Sequence, residues 1–106
     1  MDFKDLRDAD FERYVAETLP LLVVFRTEGS KLCDNVEAWL KQLDYESKLT
    51  LGRMDVDANN KPKDLLGILS VPNMVLFKGS MQRRSGWIGP WSRAKVQDFV
   101  KKHLSS

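Results

Sequence analysis

Apolar positions recur along the chain with two different periods, and the periods place most of its elements. From Leu32 onward they fall at Leu32, Val36, Trp39, Leu40 and Leu43, offsets of 4, 7, 8 and 11 that share one stripe only on a helix. The same period appears earlier, where Phe11, Tyr14, Val15 and Thr18 follow Asp8 and Asp10, residues suited to an N-cap. That short helix closes before Pro20. Near the C-terminus, Val96, Phe99, Val100 and Leu104 form a stripe behind Ser92, another good cap. Between the first two helices runs Leu19-Pro20-Leu21-Leu22-Val23-Val24-Phe25. A stretch this apolar, β-branched at its centre, reads as a strand buried on both faces in the middle of a partly parallel sheet.

The remaining segments follow the strand period. Leu49–Asp57 alternates and ends in acids, which predicts a second strand. Asn59-Asn60-Lys61-Pro62 turns into a short helix with Leu65, Leu66 and Leu69 on its inner side; Pro62 is tolerated in a first turn. Val71-Pro72-Asn73 breaks the chain before a third strand, Met74–Phe77. Lys78-Gly79-Ser80 is a hairpin signal, followed by a polar strand through Met81–Ile88. The order is helix, strand, helix, strand, helix, strand, strand, helix. A βαβ unit followed by a hairpin and a closing helix predicts an α/β fold, a mixed sheet with helices on both faces. There is no repeat, low-complexity segment or linker, so residues 1–106 read as a single domain.

Composition narrows the function more than the fold. At 42% hydrophobic and 30% charged, the chain has enough apolar surface for one core. Seventeen Lys and Arg against fifteen Asp and Glu leave +2, too little for a dedicated nucleic-acid binder. No apolar run approaches the roughly 20 residues that span a bilayer, so no membrane partner is expected. The charged N-terminus carries no apolar signal core, which predicts a cytoplasmic location. One cysteine and one histidine exclude an internal disulfide and a zinc site built on nitrogen and sulfur. The charge is uneven: residues 1–46 carry six bases and eleven acids, residues 78–106 seven bases and one acid. Such asymmetry either steers an acidic partner toward one face or is a solvated mixture that folding reunites.

The segment with the sharpest chemical potential is Gly29-Ser30-Lys31-Leu32-Cys33, a strand-to-helix turn beyond the most buried strand. Sites in open α/β sheets gather beyond the carboxyl ends of strands. Cys33 falls in the first turn of the helix, where unpaired N–H groups and the helix dipole favour a thiolate. The plainer reading makes Ser30 an ordinary N-cap and Cys33 a small buried hydrophobe. A serine-histidine triad has no support. Ser30 is flanked two residues away by Glu28 and Leu32, without the glycines of a nucleophile elbow. The lone His103 reads as a dipole partner near a helix C-terminus. Asp55 and Asp57 share a strand face, a weak metal signal and more often a strand end. No P-loop, dinucleotide or EF-hand pattern occurs.

At this point the chain resembles thioredoxin, over essentially its whole length from Phe11 to Leu104. The likeness rests on four segments in order: Leu22-Val23-Val24-Phe25, the turn Gly29–Cys33, Ser70-Val71-Pro72-Asn73 before Met74-Val75-Leu76-Phe77-Lys78, and Ile88-Gly89-Pro90-Trp91-Ser92. Met54-Asp55-Val56-Asp57 is similar as well. The resemblance implies a thioredoxin fold with about four to five strands and about four helices. It also implies thiol-disulfide oxidoreductase activity through a Cys-x-x-Cys turn, with no cofactor and no metal. The family's two cysteines align with Ser30, the attacking position, and Cys33, the resolving one. Pro72 aligns with the family's cis-proline, and Val71 with the residue whose backbone pairs with an extended peptide. Gly29, Lys31 and Gly89 would line the same groove. The implied partners are disulfide-containing or extended protein segments, with an NADPH-dependent reductase as the family's usual electron donor.

The departures from that pattern are specific. Ser30 lacks the attacking sulfur, so the chain as written is expected to be inactive in dithiol exchange. The family's buried acid aligns with Val24, and its two flanking tryptophans with Arg26 and Gly29. Three readings follow. Ser30 replaces a cysteine of a parent protein; or Cys33 works alone, through a mixed disulfide or as an oxidant sensor; or the fold keeps its peptide groove as a binding module without redox work. Trp87 and Trp91 bracket Gly89 and offer an apolar patch to a peptide, or pack the last helix onto the sheet.

Overall fold

The computed structural model describes residues 1–18, 20–45 and 47–105. In chain order the elements are β1 (Phe3–Asp5), α1 (Phe11–Glu17), β2 (Leu21–Arg26), α2 (Lys31–Lys41), β3 (Thr50–Asp55), α3 (Lys61–Leu66), β4 (Asn73–Phe77), β5 (Arg84–Trp87) and α4 (Arg93–Leu104). They form a mixed sheet of order β1-β3-β2-β4-β5. β3 runs parallel to β1 and β2, whereas β4 runs antiparallel to β2 and β5 antiparallel to β4. The all-apolar run lies at the centre. Leu22 and Val24 join Val36, Leu40, Val96 and Val100 under α2 and α4. Leu21, Val23 and Phe25 point the other way, onto Phe11, Val15, Met54 and Phe77. Alternation along one strand thus feeds two cores, which is why no polar residue is tolerated from Leu21 to Phe25.

Several expected details differ. β1 carried no sequence signal, because three residues of which two are exposed show no period; pairing of Phe3 with Leu51 makes it a strand. β5 spans only Arg84–Trp87, since the Lys78 N–H bonds the Arg83 carbonyl and closes a longer turn than a tight hairpin. β2 begins at Leu21; Leu19, placed at the head of that run, lies outside the described residues. α2 starts at Lys31, which rotates Leu32 outward and leaves Cys33, Val36, Glu37 and Leu40 as the buried stripe. Leu43 falls past the helix end. α3 stops at Leu66, because Gly67 adopts the left-handed conformation (φ 68°). Leu69, past that break, is exposed, as is Leu65 within the helix, and Pro62 and Ile68 fill the inner side instead.

Capping is shared across the chain. The Asp10 carboxylate accepts from the Arg7 N–H rather than from its own helix. Asp8 caps α3 from fifty residues away: its carboxylate accepts from the N–H groups of Asn60 (2.8 Å) and Lys61 (2.9 Å). Ser92 caps α4 as expected, accepting from Lys95 N–H at 3.2 Å. His103 sits in the last turn of α4, but burial together with Lys102 and Lys78 holds its pKa below the ordinary histidine value. The dipole reading is outweighed there by desolvation and two neighbouring cations.

Gly52 marks a tight crossing of β3 with the chain after β1. A Cβ there would lie 2.9 Å from Leu6 Cδ1 and 3.3 Å from its Cγ. Because Leu6 is buried and its tip must move, Gly52→Ala is expected to cost about 1–2 kcal/mol. Urea unfolding checks this; an unchanged midpoint would show that Leu6 repacks freely.

Candidate functional site

The topology gathers one end of the sheet. β2 and β3 are parallel, so Arg26 and Asp55 finish side by side. β4 is antiparallel to β2 with Phe25 opposite Asn73, which sets Val71 and Pro72 beside the chain leaving β2. Trp87 pairs with Met74, so Ile88 and Gly89 continue along the same end. Residues 71–72 and 88–89, far apart in sequence, thus lie at the end of the sheet from which β2 leads into the turn at 29–33.

At the turn, Gly29 has φ +78°, a left-handed conformation that lets the chain reverse into α2. Ser30 is the N-cap of α2, and its Oγ accepts from the Cys33 N–H at 3.2 Å. Lys31 is exposed. Cys33 has 0% of its surface exposed and forms no disulfide. The thiol therefore faces the core beneath the helix mouth rather than solvent. Pro72 is buried, Val71 half-buried, and the Val71–Pro72 peptide bond is cis; Gly89–Pro90 is cis as well. Gly89 has φ +119°, and a Cβ on it would meet the Trp91 ring at 3.2 Å. Trp87 packs against Phe99 (ring centroids 6.0 Å apart) and donates its indole N–H to the Pro90 carbonyl at 3.0 Å. Packing, not exposure, therefore describes Trp87.

A cavity of about 430 Å³ opens at this end, between Thr27, Val56, Asp57, Ile68, Leu69 and Val71. Its wall is partly polar: the Thr27 hydroxyl donates to the Asp57 carboxylate. Around the same end stand three solvent-facing aliphatics, Leu32 (39% exposed), Leu69 (83%) and Ile88 (73%). Of the three only Leu69 lines the cavity; Leu32 lies in the first turn of α2 and Ile88 directly after β5.

One feature of the site gave no sequence signal. Glu37, 5% exposed, lies one turn after Cys33 on the inner stripe of α2. Its carboxylate accepts from Arg26 on β2 and, at 2.9 Å, from Arg53 on β3. Arg26 also bonds Asp34 at 3.1 Å, and Arg53 bonds Asp5 at 2.6 Å. Burial works against the Arg26 guanidinium, but hydrogen bonds to Glu37 and Asp34 outweigh it and raise its pKa. Hydrogen bonds to Asp5 and Glu37 raise that of Arg53, and the Asp5 carboxyl is held below its usual value chiefly by Arg53. The network ties α2 to three strands just behind the turn. Among the described residues no cluster of three or more His, Cys, Asp or Glu is placed to hold a metal ion. No helix there is long and apolar enough to cross a membrane.

The family model described as thioredoxin matches residues 2–102. The chain belongs to the thioredoxin family. It is 26% identical to the thioredoxin of Haemophilus influenzae over 102 residues, covering 93% of this chain and 94% of the relative. It is 32% identical to that of Rickettsia bellii over 82 residues, covering 74% and 78%. A Buchnera aphidicola thioredoxin is 27% identical over 103 residues. The thioredoxin fold is thus present with its α/β sheet and four helices.

Proposed function

We propose that this chain is a single-domain thioredoxin-type module that binds extended protein segments between residues 29–33, Val71–Pro72 and Gly89, and that Ser30 closes dithiol exchange to it. The observation that supports this reading is the pairing at the mouth of α2: Ser30 Oγ is engaged with the Cys33 N–H, and Cys33 is fully buried. A hydroxyl in the attacking position cannot form a disulfide, and a buried resolving thiol cannot substitute for it at the surface. The reading in which Cys33 acts alone loses ground to that burial. What remains is a groove: the backbone of Val71 beside Pro72 pairs with the segment, and Leu32 and Ile88 cover its apolar side chains. A cytoplasmic setting suits a lone reduced thiol.

Ser30→Cys tests the assignment. The introduced thiolate attacks a protein disulfide and forms a mixed disulfide. Cys33 then displaces the substrate thiol, leaving an internal disulfide and a reduced substrate; dithiothreitol returns both sulfurs to thiols. With insulin as substrate and dithiothreitol as donor, the variant is expected to accelerate reduction at least about tenfold over the unsubstituted chain. A thioredoxin-reductase-type donor is the natural alternative source of electrons for the variant. Equal rates for the two proteins would remove Ser30 as the reason for inactivity. Rapid reaction of Cys33 with a disulfide probe in the folded chain would instead favour single-thiol chemistry.

A further inference from the structure

The face of the sheet under α4, away from the residue-30 turn, has its own character. Lys95, Lys102 and His103 surround a cavity of about 190 Å³ floored by Trp87 and Phe99. The Phe99 and His103 rings meet at a tilt of 48°, with centroids 4.5 Å apart. A second groove of about 350 Å³ runs past Lys78, Arg83 and Arg84 at the start of β5. Leu76 and Ser85 are ladder partners whose side chains share one sheet face, so this groove opens on the face that carries Trp87. The two hollows border the two ends of β5, at Arg84 and at Trp87. Asp98 is the sole acid in residues 78–106.

We propose that this β5–α4 face binds an acidic, extended polypeptide segment. Charge complementarity selects the sign: among the described residues, five cations line the two hollows against one carboxylate. The open edge selects the polymer. β5 is the last strand of the sheet and pairs with β4 alone, and none of residues 82–90 is buried. Gly86, in the middle of that edge, has no left-handed φ, and a Cβ on it would meet nothing closer than 3.8 Å. Neither backbone nor packing demands glycine there, whereas close approach of another backbone does. Arg83 and Arg84 repel a second copy of the same edge and attract an acidic strand. The alternating side chains of such a strand would set carboxylates against Lys78, Arg83 and Lys102 and an aromatic or aliphatic group into the Trp87–Phe99 hollow. A long nucleic acid fits less well, because residues 1–46 carry eleven acids within a body 30 × 30 × 21 Å.

The test uses the full chain and a blocked synthetic peptide that alternates glutamate with valine around a central phenylalanine. Amide NMR shifts are expected at residues 82–87 and 95–103, with those of 29–33 unmoved. Affinity is expected to fall about tenfold in Arg83→Glu/Lys102→Glu and to weaken with salt. The milder pair Arg83→Gln/Lys95→Gln, which removes charge without reversing it, should weaken binding about threefold. Leu32→Gln, at the groove of the proposed function on α2, should leave this binding intact. Shifts centred on 29–33, unchanged affinity in both pairs, equal binding of a lysine-for-glutamate peptide, or tighter binding of a thymidine oligonucleotide would each overturn the proposal.

Discussion

Glu37→Ala is expected to destabilise the fold by roughly 3 kcal/mol, although it removes only one carboxylate. Glu37 has a 7% exposed side chain and holds two guanidinium groups at once, Arg26 with a 16% exposed side chain and Arg53 with 34%. Deleting the acid leaves both cations partly desolvated and facing each other across the space it filled. The cost stays near the lower end for a broken buried pair, because Arg26 keeps Asp34 and Arg53 keeps Asp5. Equilibrium denaturation should show a lower midpoint with an unchanged slope. The double variant Arg26→Met/Glu37→Met should recover part of the loss, since it removes Arg26 together with its buried partner while Arg53 keeps only Asp5. A single-variant loss below about 1 kcal/mol would mean that water already solvates the network. The Asp5 arm adds a small pH dependence. Its folded pKa is depressed by Arg53, so its contribution is present above the ordinary carboxylate value and is lost as pH falls through the lower folded value.

The network also shows why part of this protein was legible in its sequence and part was not. Periodicity announces elements whose buried side is apolar, and β2, α2 and α4 appear where Leu21–Phe25, Val36–Leu40 and Val96–Val100 put them. It fails where an inner position is charged. Glu37 is four residues from Cys33 and so shares its stripe, yet an acid reads as a surface residue until Arg26 and Arg53 are known to end beneath it. That knowledge needs the strand register, with Val24 opposite Arg53. The same limit applies to α3: Leu65 and Leu69 keep the helical spacing, but Leu65 is exposed within the helix, and Gly67 ends it before Leu69, so Ile68 takes the inner place. For the site, Ser30 and Cys33 were visible as a cap and a first-turn thiol because four residues suffice to define them. The thiol's burial stood there only as the plainer of two readings, because the choice depends on what lies over the helix.

Phe11→Ala is expected to be the more damaging core change, costing about 4 kcal/mol. Phe11 is fully buried, and its ring meets Phe25 edge-on at 6.1 Å and Phe77 edge-on at 5.9 Å. These three rings pin α1 to the last buried residue of β2 and the last residue of β4. Alanine would leave a ring-sized void between two strands whose backbones are locked by the sheet, so collapse offers little relief. Against the roughly 5–15 kcal/mol that a domain of this size commands, such a loss should lower Tm by roughly 20 °C. Phe11→Leu, which keeps most of the volume, should cost about 1.5 kcal/mol. The contrast with the same helix's outer face is large: the exposed Arg13–Glu17 pair, 3.7 Å apart, should yield at most about 0.5 kcal/mol when Arg13 becomes alanine. Calorimetry of the three variants orders them directly. A Phe11→Ala protein that melts within a few degrees of its Phe11→Leu counterpart would show that α1 can slide inward, and that the aromatic triad does not hold the end of β2 in place.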